Sequence, residues 1–248
     1  MNNILEIKGL SKSYDEKKNA VNGCNFSMEK GEICAIVGES GSGKTTLLRL
    51  IAGLERPNSG CIKINGQLVS SDSQIISPQK RQIGMVFQDY ALFPHMTVEQ
   101  NISFGLKNPQ KEEIHDLLSL IKMSAYAKAY PSQLSGGQEQ RVAIARTLAL
   151  KPNLLLLDEP FSNLDVGLKS NLRKEIQSIA RELNTSLIFI THDLYDAIEI
   201  ADKIIFLKDG VILKDSPVSD FVNTENAEIK KMIVNLKLNA NQLLNLIH

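Results

Sequence analysis

The chain has 248 residues, enough for one large domain or two small ones. With 43% hydrophobic and 23% charged residues, its composition is that of a folded globular protein and excludes a disordered chain. Its formal net charge is zero, so bulk electrostatics do not indicate a partner such as nucleic acid.

The N-terminal segment and the cysteines indicate the cellular compartment in which the protein works. The segment MNNILEIKGLSKSYDEKKN lacks the basic start and the long apolar run of a secretory signal. The longest apolar runs, such as Leu154–Leu157, are too short to cross a bilayer. Cys24, Cys34 and Cys61 are scattered and show no CxxC spacing. The cysteines therefore do not indicate disulfides or a zinc site. The sequence favours a protein of the reducing cytosol.

Short β-type runs recur along the chain, and helical patterns separate several of them. The runs are ILEIKGL, EICAIVG, CIKING, QIGMVFQ, NLLLLDEP, SLIFITHD, KIIFLKDG and VILKDS. Helices are predicted over Lys44–Leu54, Gln138–Leu150, Val166–Leu183 and Leu194–Ala201. Because Leu154–Leu157 is apolar throughout, it is typical of a strand buried on both faces of a parallel sheet. The alternation of strands and helices predicts an α/β core.

Three smaller units are predicted around this core. Asn65-Gly66 is a hairpin signal, so we expect an N-terminal antiparallel β-subdomain. The stretch over about 97–150 indicates a helical subdomain inserted into the core. Apolar residues at helical spacing in the tail are Ile229, Met232, Ile233 and Leu236. We therefore predict a main domain over 1–216 and a short helical extension over 217–248.

The stretch GESGSGKTTLL, which begins at Gly38, carries the most specific motif. Gly38, Gly43, Lys44 and Thr45 fit G-x-x-x-x-G-K-[ST], placed between a buried strand and a helix as a phosphate-binding loop requires. Glycines let backbone N–H groups surround an anion, and the helix N-terminus adds positive charge. Lys44 is expected to reach the β- and γ-phosphates, Thr45 to hold Mg²⁺ and Thr46 to bind the α-phosphate. A glycine–serine linker is the disfavoured alternative.

The strand-like run Leu154–Leu157 ends in two acids, Asp158 and Glu159. Side chains at the carboxyl ends of parallel strands face the ligand in such folds. Asp158 is suited to holding Mg²⁺, and Glu159 to orienting and deprotonating an attacking water. Alone, this pair is equally consistent with a helix cap or a solvated loop. Together with the phosphate-binding loop it predicts nucleoside triphosphate hydrolysis.

A second glycine-rich helix start, LSGGQ at 134–138, lies before the helix predicted from Gln138. It too is suited to a γ-phosphate. In this order, the phosphate-binding loop, LSGGQ and LLLLDEP resemble the ATP-binding subunits of ABC transporters, over about residues 3–215. The resemblance implies a P-loop NTPase core that hydrolyses ATP with Mg²⁺ as cofactor.

The resemblance also implies roles for single residues. Tyr14 would stack on adenine, although a tyrosine that merely ends a strand is the alternative reading. Gln88 would sense Mg²⁺ and the attacking water and link to the membrane subunits. Asp165 would be the acid of the loop that crosses to the other protomer. His192 would contact the γ-phosphate and position Glu159.

The complete set of expected site residues follows from these motifs and the resemblance. The ATP-binding residues are Tyr14, Gly38, Glu39, Ser40, Gly41, Ser42, Gly43, Lys44, Thr45 and Thr46. The signature residues are Leu134, Ser135, Gly136, Gly137 and Gln138. The catalytic residues are Glu159, His192 and Gln88, and the metal residues are Thr45, Gln88 and Asp158. In such subunits, LSGGQ acts in trans and two ATP are buried in a head-to-tail homodimer.

The stretch QDYALFPHMTV over 88–98 is similar to importers for ferric iron, sulfate, molybdate, polyamines, thiamine and sugars. The resemblance implies a peripheral protein on the cytoplasmic side of the inner membrane. Its partners would be integral permease subunits and, in the full system, a substrate-binding protein, with no nucleic acid. Many such importers carry a further C-terminal β-domain, so this chain is expected either to lack it naturally or to be a fragment.

Three other interpretations remain open. An exporter subunit of the same family carries the same nucleotide motifs. A non-transport ABC ATPase acting on DNA or ribosomes is disfavoured because each motif occurs once and no long heptad run is present. A catalytically inactive cassette is disfavoured because Lys44, Asp158, Glu159 and His192 are all present.

Overall fold

The computed structural model describes residues 3–15, 19–162 and 166–245. Its strands are β1 Asn3–Ser13, β2 Asn19–Glu29, β3 Ile33–Val37, β4 Ser59–Ile64, β5 Gln67–Ser70, β6 Ile83–Val86, β7 Leu154–Asp158, β8 Ser186–Thr191, β9 Lys203–Lys208 and β10 Val211–Pro217. Its α-helices are α1 Lys44–Ala52, α2 Val98–Ser103, α3 Lys111–Leu120, α4 Gly136–Leu148, α5 Val166–Glu182, α6 Leu194–Ile200, α7 Val218–Val222 and α8 Ala227–Asn245. The predicted α/β class is confirmed.

The central sheet has the strand order β10-β9-β3-β8-β7-β6. The neighbouring pairs from β9 to β6 are parallel, and β10 is antiparallel to β9. Every residue of β3, β7 and β8 is buried, as expected for strands covered on both faces. Alternate β3 residues face two hydrophobic cores: Ile33 and Ala35 belong to one, Cys34 and Ile36 to the other. The sheet thus separates the two cores.

The N-terminal strands form the predicted antiparallel sheet, with the order β2-β1-β4-β5. Asn65 and Gly66 connect β4 to β5 and have positive φ values of 49° and 75°, as a type I′ hairpin turn requires. Strand β2 was not among the strand-like runs of the sequence. Its exposed positions are mostly Asn, Gly, Ser and Glu, which mask the alternation of buried Val21, Cys24 and Phe26.

The predicted helical insertion is present as α2, α3 and α4. Helix α4 begins two residues before its predicted start, since Ser135 is the N-cap and its N–H donates to Oε1 of Gln138 at 2.9 Å. Helix α1 ends at Ala52, short of the predicted Leu54, because Gly53 adopts φ 78° as its C-cap. These differences lie within the usual uncertainty of helix ends.

The C-terminal residues fold as α7 and α8. On α8, Ile229 and Ile233 are buried in the core and Met232 and Leu236 pack against it, as the helical spacing predicted. The division of the chain at 216 remains a prediction. None of the helices in the described ranges has the combination of length and apolar character that a membrane crossing needs.

Candidate functional site

The parallel strands bring the predicted site residues to one edge of the central sheet. Val37, the last residue of β3, pairs with Thr191, the last residue of β8. On the other side of β8, Asp158 pairs with Ile190. Beyond β7, the last residue of β6, Val86, pairs with Leu157. Because each of these four strands ends within one residue of its neighbour, the phosphate-binding loop, the Asp158–Glu159 pair, His192 and Gln88 all follow the same sheet edge.

The phosphate-binding loop over 38–43 packs so closely on its neighbours that two positions require glycine. A Cβ on Gly38 would lie 2.1 Å from the carbonyl oxygen of Leu207, and one on Gly43 would lie 2.0 Å from that of Ala20. Gly43 also has φ 103°, a region that L side chains rarely adopt. The N–H of Gly210 donates to the carbonyl of Ser42 at 2.9 Å. Strand β2 and the β9–β10 turn therefore fix the shape of the loop.

Lys44 begins helix α1, and its side chain turns back over the loop. It is only 5% exposed, and Nζ donates to the carbonyl oxygens of Gly38 and Glu39, each at 2.8 Å. Burial lowers the pKa of Lys44, and the nearby charges of Glu159 and Asp158 oppose that effect. A cation held inside a loop of backbone amides is suited to a phosphate chain.

Asp158 and Thr45 lie close together at the N-terminus of α1, where Oγ1 of Thr45 is 3.5 Å from Oδ1 of Asp158. Together with Arg49 and Gln88 they line one cleft. Burial raises the pKa of Asp158 and the adjacent Glu159 raises it further, while the charge of Arg49 acts in the opposite direction. A desolvated carboxylate beside a hydroxyl and an amide oxygen gains from a hard cation, so this donor set fits Mg²⁺.

The number of protein ligands for a metal at this cleft is small. No cluster of three or more His, Cys, Asp or Glu side chains occurs in the part of the chain that the structure describes. Mg²⁺ is typically held by one or two protein ligands together with substrate phosphates and water. The donors around Asp158 agree with that pattern and not with a metal cage built from protein alone.

Glu159 and His192 face each other across the ends of β7 and β8. Oε2 of Glu159 lies 3.4 Å from Nδ1 of His192. Glu159 has φ 46°, an uncommon conformation for a residue other than glycine and one often found at functional sites. The hydroxyl of Ser162 donates to the carbonyl of Glu159 at 3.0 Å, and Nε2 of Gln88 lies 3.5 Å from that hydroxyl. Ser162 thus links Gln88 to Glu159.

A buried network supports the segment around His192. Thr191 donates through Oγ1 to Oδ2 of Asp196 at 3.0 Å and accepts from the N–H of Asp193, also at 3.0 Å. Nη1 of Arg173 on α5 donates to Oδ1 of Asp196 at 2.7 Å. Both side chains are buried, and Arg173 also pairs with Glu199, so loss of Arg173 would leave the buried Asp196 without its cation. The network fixes the backbone on both sides of His192.

The signature segment lies at the start of α4. The N–H of Leu134 donates to the carbonyl of Pro131, and the N–H of Glu139 donates to the carbonyl of Ser135, both at 2.9 Å. These hydrogen bonds are local to the segment. In the described ranges, no hydrogen bond joins residues 134–138 to the phosphate-binding loop. The action of these residues in trans remains a prediction.

The structure does not test the predicted roles of two other residues, Tyr14 and Asp165. Tyr14 follows β1 and is 60% exposed, with Nζ of Lys12 lying 5.2 Å from its ring centroid. Its adenine-stacking role remains a prediction. Asp165 lies outside the described residues, and its predicted role in the loop between protomers cannot be placed in the structure.

Two arginines that contact or belong to helix α1 were not identified from the sequence. Arg49 lines the cleft one turn after Thr45, and this helical spacing was the only available signal. Arg81 is buried and donates to the carbonyl oxygens of Leu50 and Ile51 at 3.2 and 2.9 Å, which ties down the end of α1. Its position gave no sequence signal, because Arg81 reaches α1 only through the tertiary fold.

Comparison with known proteins agrees with this geometry. The family model described as ABC transporter matches residues 21–162. The sulfate/thiosulfate import ATP-binding protein CysA of Pseudomonas aeruginosa is 42% identical over 236 residues, which cover 88% of this chain and 70% of CysA.

Two solved structures have the same fold. The dimeric post-hydrolysis ATP-binding cassette MJ0796, bound to ADP and Pi, has a TM-score of 0.74 at 29% identity, covering 88% of this chain and 100% of that chain. The protein cbiO1 of Clostridium perfringens, part of the ABC transporter complex cbiONQ, has a TM-score of 0.82 at 31% identity, covering 98% of this chain and 99% of that chain. The chain therefore belongs to the ABC transporter family, as an ATP-hydrolysing subunit of the importer type.

Proposed function

We propose that the edge of the sheet after β3, β8, β7 and β6 is where this subunit binds and hydrolyses Mg-ATP to drive solute import. One observation carries the proposal: each of these strands ends within one residue of its neighbour, so a phosphate-binding loop, two acids, a histidine and a glutamine come together. Each motif alone has a structural explanation. Their arrangement around one cleft has the donors, the cation and the carboxylate that phosphoryl transfer needs.

In the proposed reaction, the backbone amides of the loop and Lys44 bind the β- and γ-phosphates. Thr45, Asp158 and Gln88 would hold Mg²⁺, which when bound neutralises phosphate charge. Glu159 accepts a proton from water as the water oxygen forms a bond to the γ-phosphorus and the bond to the bridging oxygen breaks. His192 keeps the Glu159 carboxylate in place, so that the water is oriented before the reaction begins.

We also propose that two copies assemble head to tail around two ATP molecules. The start of α4 at Ser135 is a helix N-terminus suited to a γ-phosphate, yet its hydrogen bonds leave it separate from the loop of its own chain. A second copy would bring its own Ser135 to the nucleotide bound at Lys44. The dimeric state of MJ0796, whose fold this chain shares, supports the arrangement.

The surface beside Gln88 suits a membrane permease partner. Phe87 and Phe104 are 38% and 49% exposed, and the ring of Phe93 lies 4.3 Å from that of Phe104. Exposed aromatic side chains of this kind are suited to anchoring a short amphipathic helix of a partner. We therefore place the subunit at the cytoplasmic face of the membrane, with a substrate-binding protein in the full system. The name of its relative CysA makes sulfate and thiosulfate the first solutes to test.

The direct test is phosphate release and ATP binding by the purified chain with Mg²⁺. Lys44→Ala removes the main cation of the loop, and a charge-assisted contact contributes about 1.5–3 kcal/mol. ATP affinity should therefore fall by about tenfold or more, as measured by titration calorimetry. The exposed Lys174→Ala on α5 is the matched control and should leave affinity unchanged. Equal ATP affinity for wild type and Lys44→Ala would reject the assignment of the loop.

A further inference from the structure

The loop after Gln88 contains two consecutive residues in an unfavourable backbone conformation. Tyr90 has φ 59° and Ala91 has φ 46°. L-residues with a Cβ enter this left-handed region at a cost in free energy, and two in succession are rarer still. Such a conformation persists only where the surrounding structure enforces it. The side chains that hold the loop in this conformation belong to helix α4.

Arg146, on helix α4, holds both residues through their backbone. Its Nη1 donates to the carbonyl of Ala91 at 2.7 Å and its Nη2 to that of Tyr90 at 3.0 Å. The guanidinium also lies 5.4 Å from the ring centroid of Phe93. Two parallel N–H donors at a fixed spacing are a property of arginine that lysine lacks. The contact thus selects one conformation of the loop.

A second residue of α4 holds the same loop. The hydroxyl of Tyr90 lies 3.4 Å from Oε1 of Gln140, whose side chain is fully buried. Gln140 and Arg146 are on the same helix, and that helix begins at Ser135's cap. The strained turn is therefore attached to the signature helix, in addition to the hydrogen bond that the N–H of Tyr90 donates to the carbonyl of Phe87 at 3.0 Å.

We propose that Arg146, supported by Gln140, is a positioning residue that keeps Tyr90 and Ala91 left-handed and thereby sets the place of Gln88. This rests on the proposed role of Gln88 at the ATP site. A rigid helix joins Arg146 to the N-terminus at Ser135, which faces the second nucleotide in the proposed dimer. Displacement of α4 at one nucleotide would then move Gln88 at the other, which couples the two sites.

The test uses Arg146→Lys, which keeps the positive charge but cannot hold two carbonyls in one plane. Gln88 should lose its position while Lys44 and its loop keep theirs. We expect kcat for Mg-ATP hydrolysis to fall about tenfold, with KM for ATP changed less than about twofold. A general loss of folding would instead lower the urea midpoint and the amount of active protein. It would not lower kcat selectively while KM for ATP stays the same.

A rescue variant makes the test specific to the strained turn. Ala91→Gly removes one of the two Cβ atoms that disfavour the left-handed turn, so the turn depends less on Arg146. Added to Arg146→Lys, it should restore at least about a third of the wild-type kcat. Lys151→Gly is the matched control, since Lys151 also has a positive φ of 51° but lies outside the loop. It should rescue nothing.

Two further measurements separate failure of this proposal from failure of the proposed function. Arg141→Lys, on the same helix but paired with Glu175 at 2.9 Å, should leave kcat unchanged. The urea midpoints of Arg146→Lys, Ala91→Gly and the double variant are measured without an activity assay. Arg146→Lys should lower the midpoint less when Ala91→Gly is present than in the wild-type background. Additive midpoints, or equal rescue by Ala91→Gly and Lys151→Gly, would overturn the proposal even if the wild type hydrolyses ATP.

Discussion

Nδ1 of His192 lies 3.4 Å from Oε2 of Glu159, although helix α5 and strand β8 separate the two residues in the chain. They meet because β7 and β8 are parallel neighbours that end within one residue of each other. The buried contacts of Thr191 and Asp196 hold the histidine segment, and Glu159 adopts a left-handed backbone conformation beside it. The pair is thus positioned by the fold on both sides.

His192→Ala should lower kcat by about 100-fold, the size expected when a reacting group is displaced by a small distance. KM for ATP should change little, because the phosphate-binding loop and Lys44 do not depend on the histidine. The measurement is steady-state phosphate release by the purified protein. His95→Ala, at an exposed loop histidine, is the control and should keep the wild-type kcat. A fall in ATP affinity without a fall in kcat would contradict the positioning role.

Asp158 should reduce stability in the absence of nucleotide. Burial and Glu159 raise its pKa in the folded chain. A carboxyl with a raised folded pKa contributes stability that is fully present at acid pH and is lost as the pH rises through that pKa. Near neutral pH, Asp158→Asn should therefore raise the free energy of unfolding, by about 0.5–2 kcal/mol, as relief of functional strain commonly does.

The measurement is urea unfolding without Mg²⁺ over a pH series. The advantage of Asp158→Asn should shrink as the pH falls through the raised pKa of Asp158. Asp116→Asn, on the exposed surface of α3, is the control and should show no advantage near neutral pH. An asparagine variant less stable than wild type near neutral pH would show that the carboxylate is compensated in the folded chain.

Arg81 should be important for stability although it lies outside the chemistry. Its guanidinium is 3% exposed and also donates to the hydroxyl of Ser70 at 2.7 Å and the carbonyl of Ile76 at 2.8 Å. Arg81→Met fills similar space but leaves these acceptors without a donor, and each buried unsatisfied group costs about 1–3 kcal/mol. We expect the free energy of unfolding to fall by about 2–4 kcal/mol in urea titrations.

A conservative variant shows whether the number of donors matters at this position. Arg81→Lys should recover only part of the loss, since one ammonium cannot reach all the acceptors. If the free energy of unfolding of Arg81→Met stayed within about 0.5 kcal/mol of wild type, the end of α1 would be held by its other contacts.

The parts of the site predicted from sequence are those whose chemistry is written in one short segment. The phosphate-binding loop at Lys44 and the acids at 158–159 each combine a local pattern with a buried strand, and an uninterrupted apolar run marked the strand before the acids. The Asn65-Gly66 hairpin was predictable because few residues adopt two positive φ values in succession.

The parts that were missed are made by distant segments. Arg81 reaches α1 through backbone carbonyls, which have no sequence signature. Ser162 joins Gln88 to Glu159 only because β6 and β7 are neighbours. Strand β2 was hidden because its solvent face carries turn-forming residues, and its pairing with β1 outweighs their low β-propensity.

We propose that Glu159 is the base in an ATP site completed by Ser135 of a second copy. Glu159→Gln keeps the size of the side chain but cannot accept the proton. Phosphate release should therefore fall by about 100-fold or more while ATP remains bound. A nucleotide that persists should hold the two helix N-termini together. Ser135→Arg, added to this variant, should prevent the dimer but leave ATP bound at Lys44.

Light scattering during size-exclusion chromatography of Glu159→Gln with Mg-ATP tests this claim most directly. We expect a dimer with Mg-ATP, a monomer with ADP, and a monomer with Mg-ATP when Ser135→Arg is added. A Glu159→Gln protein that stays monomeric with Mg-ATP at high concentration, with its permease partners present as well as absent, would contradict the composite site.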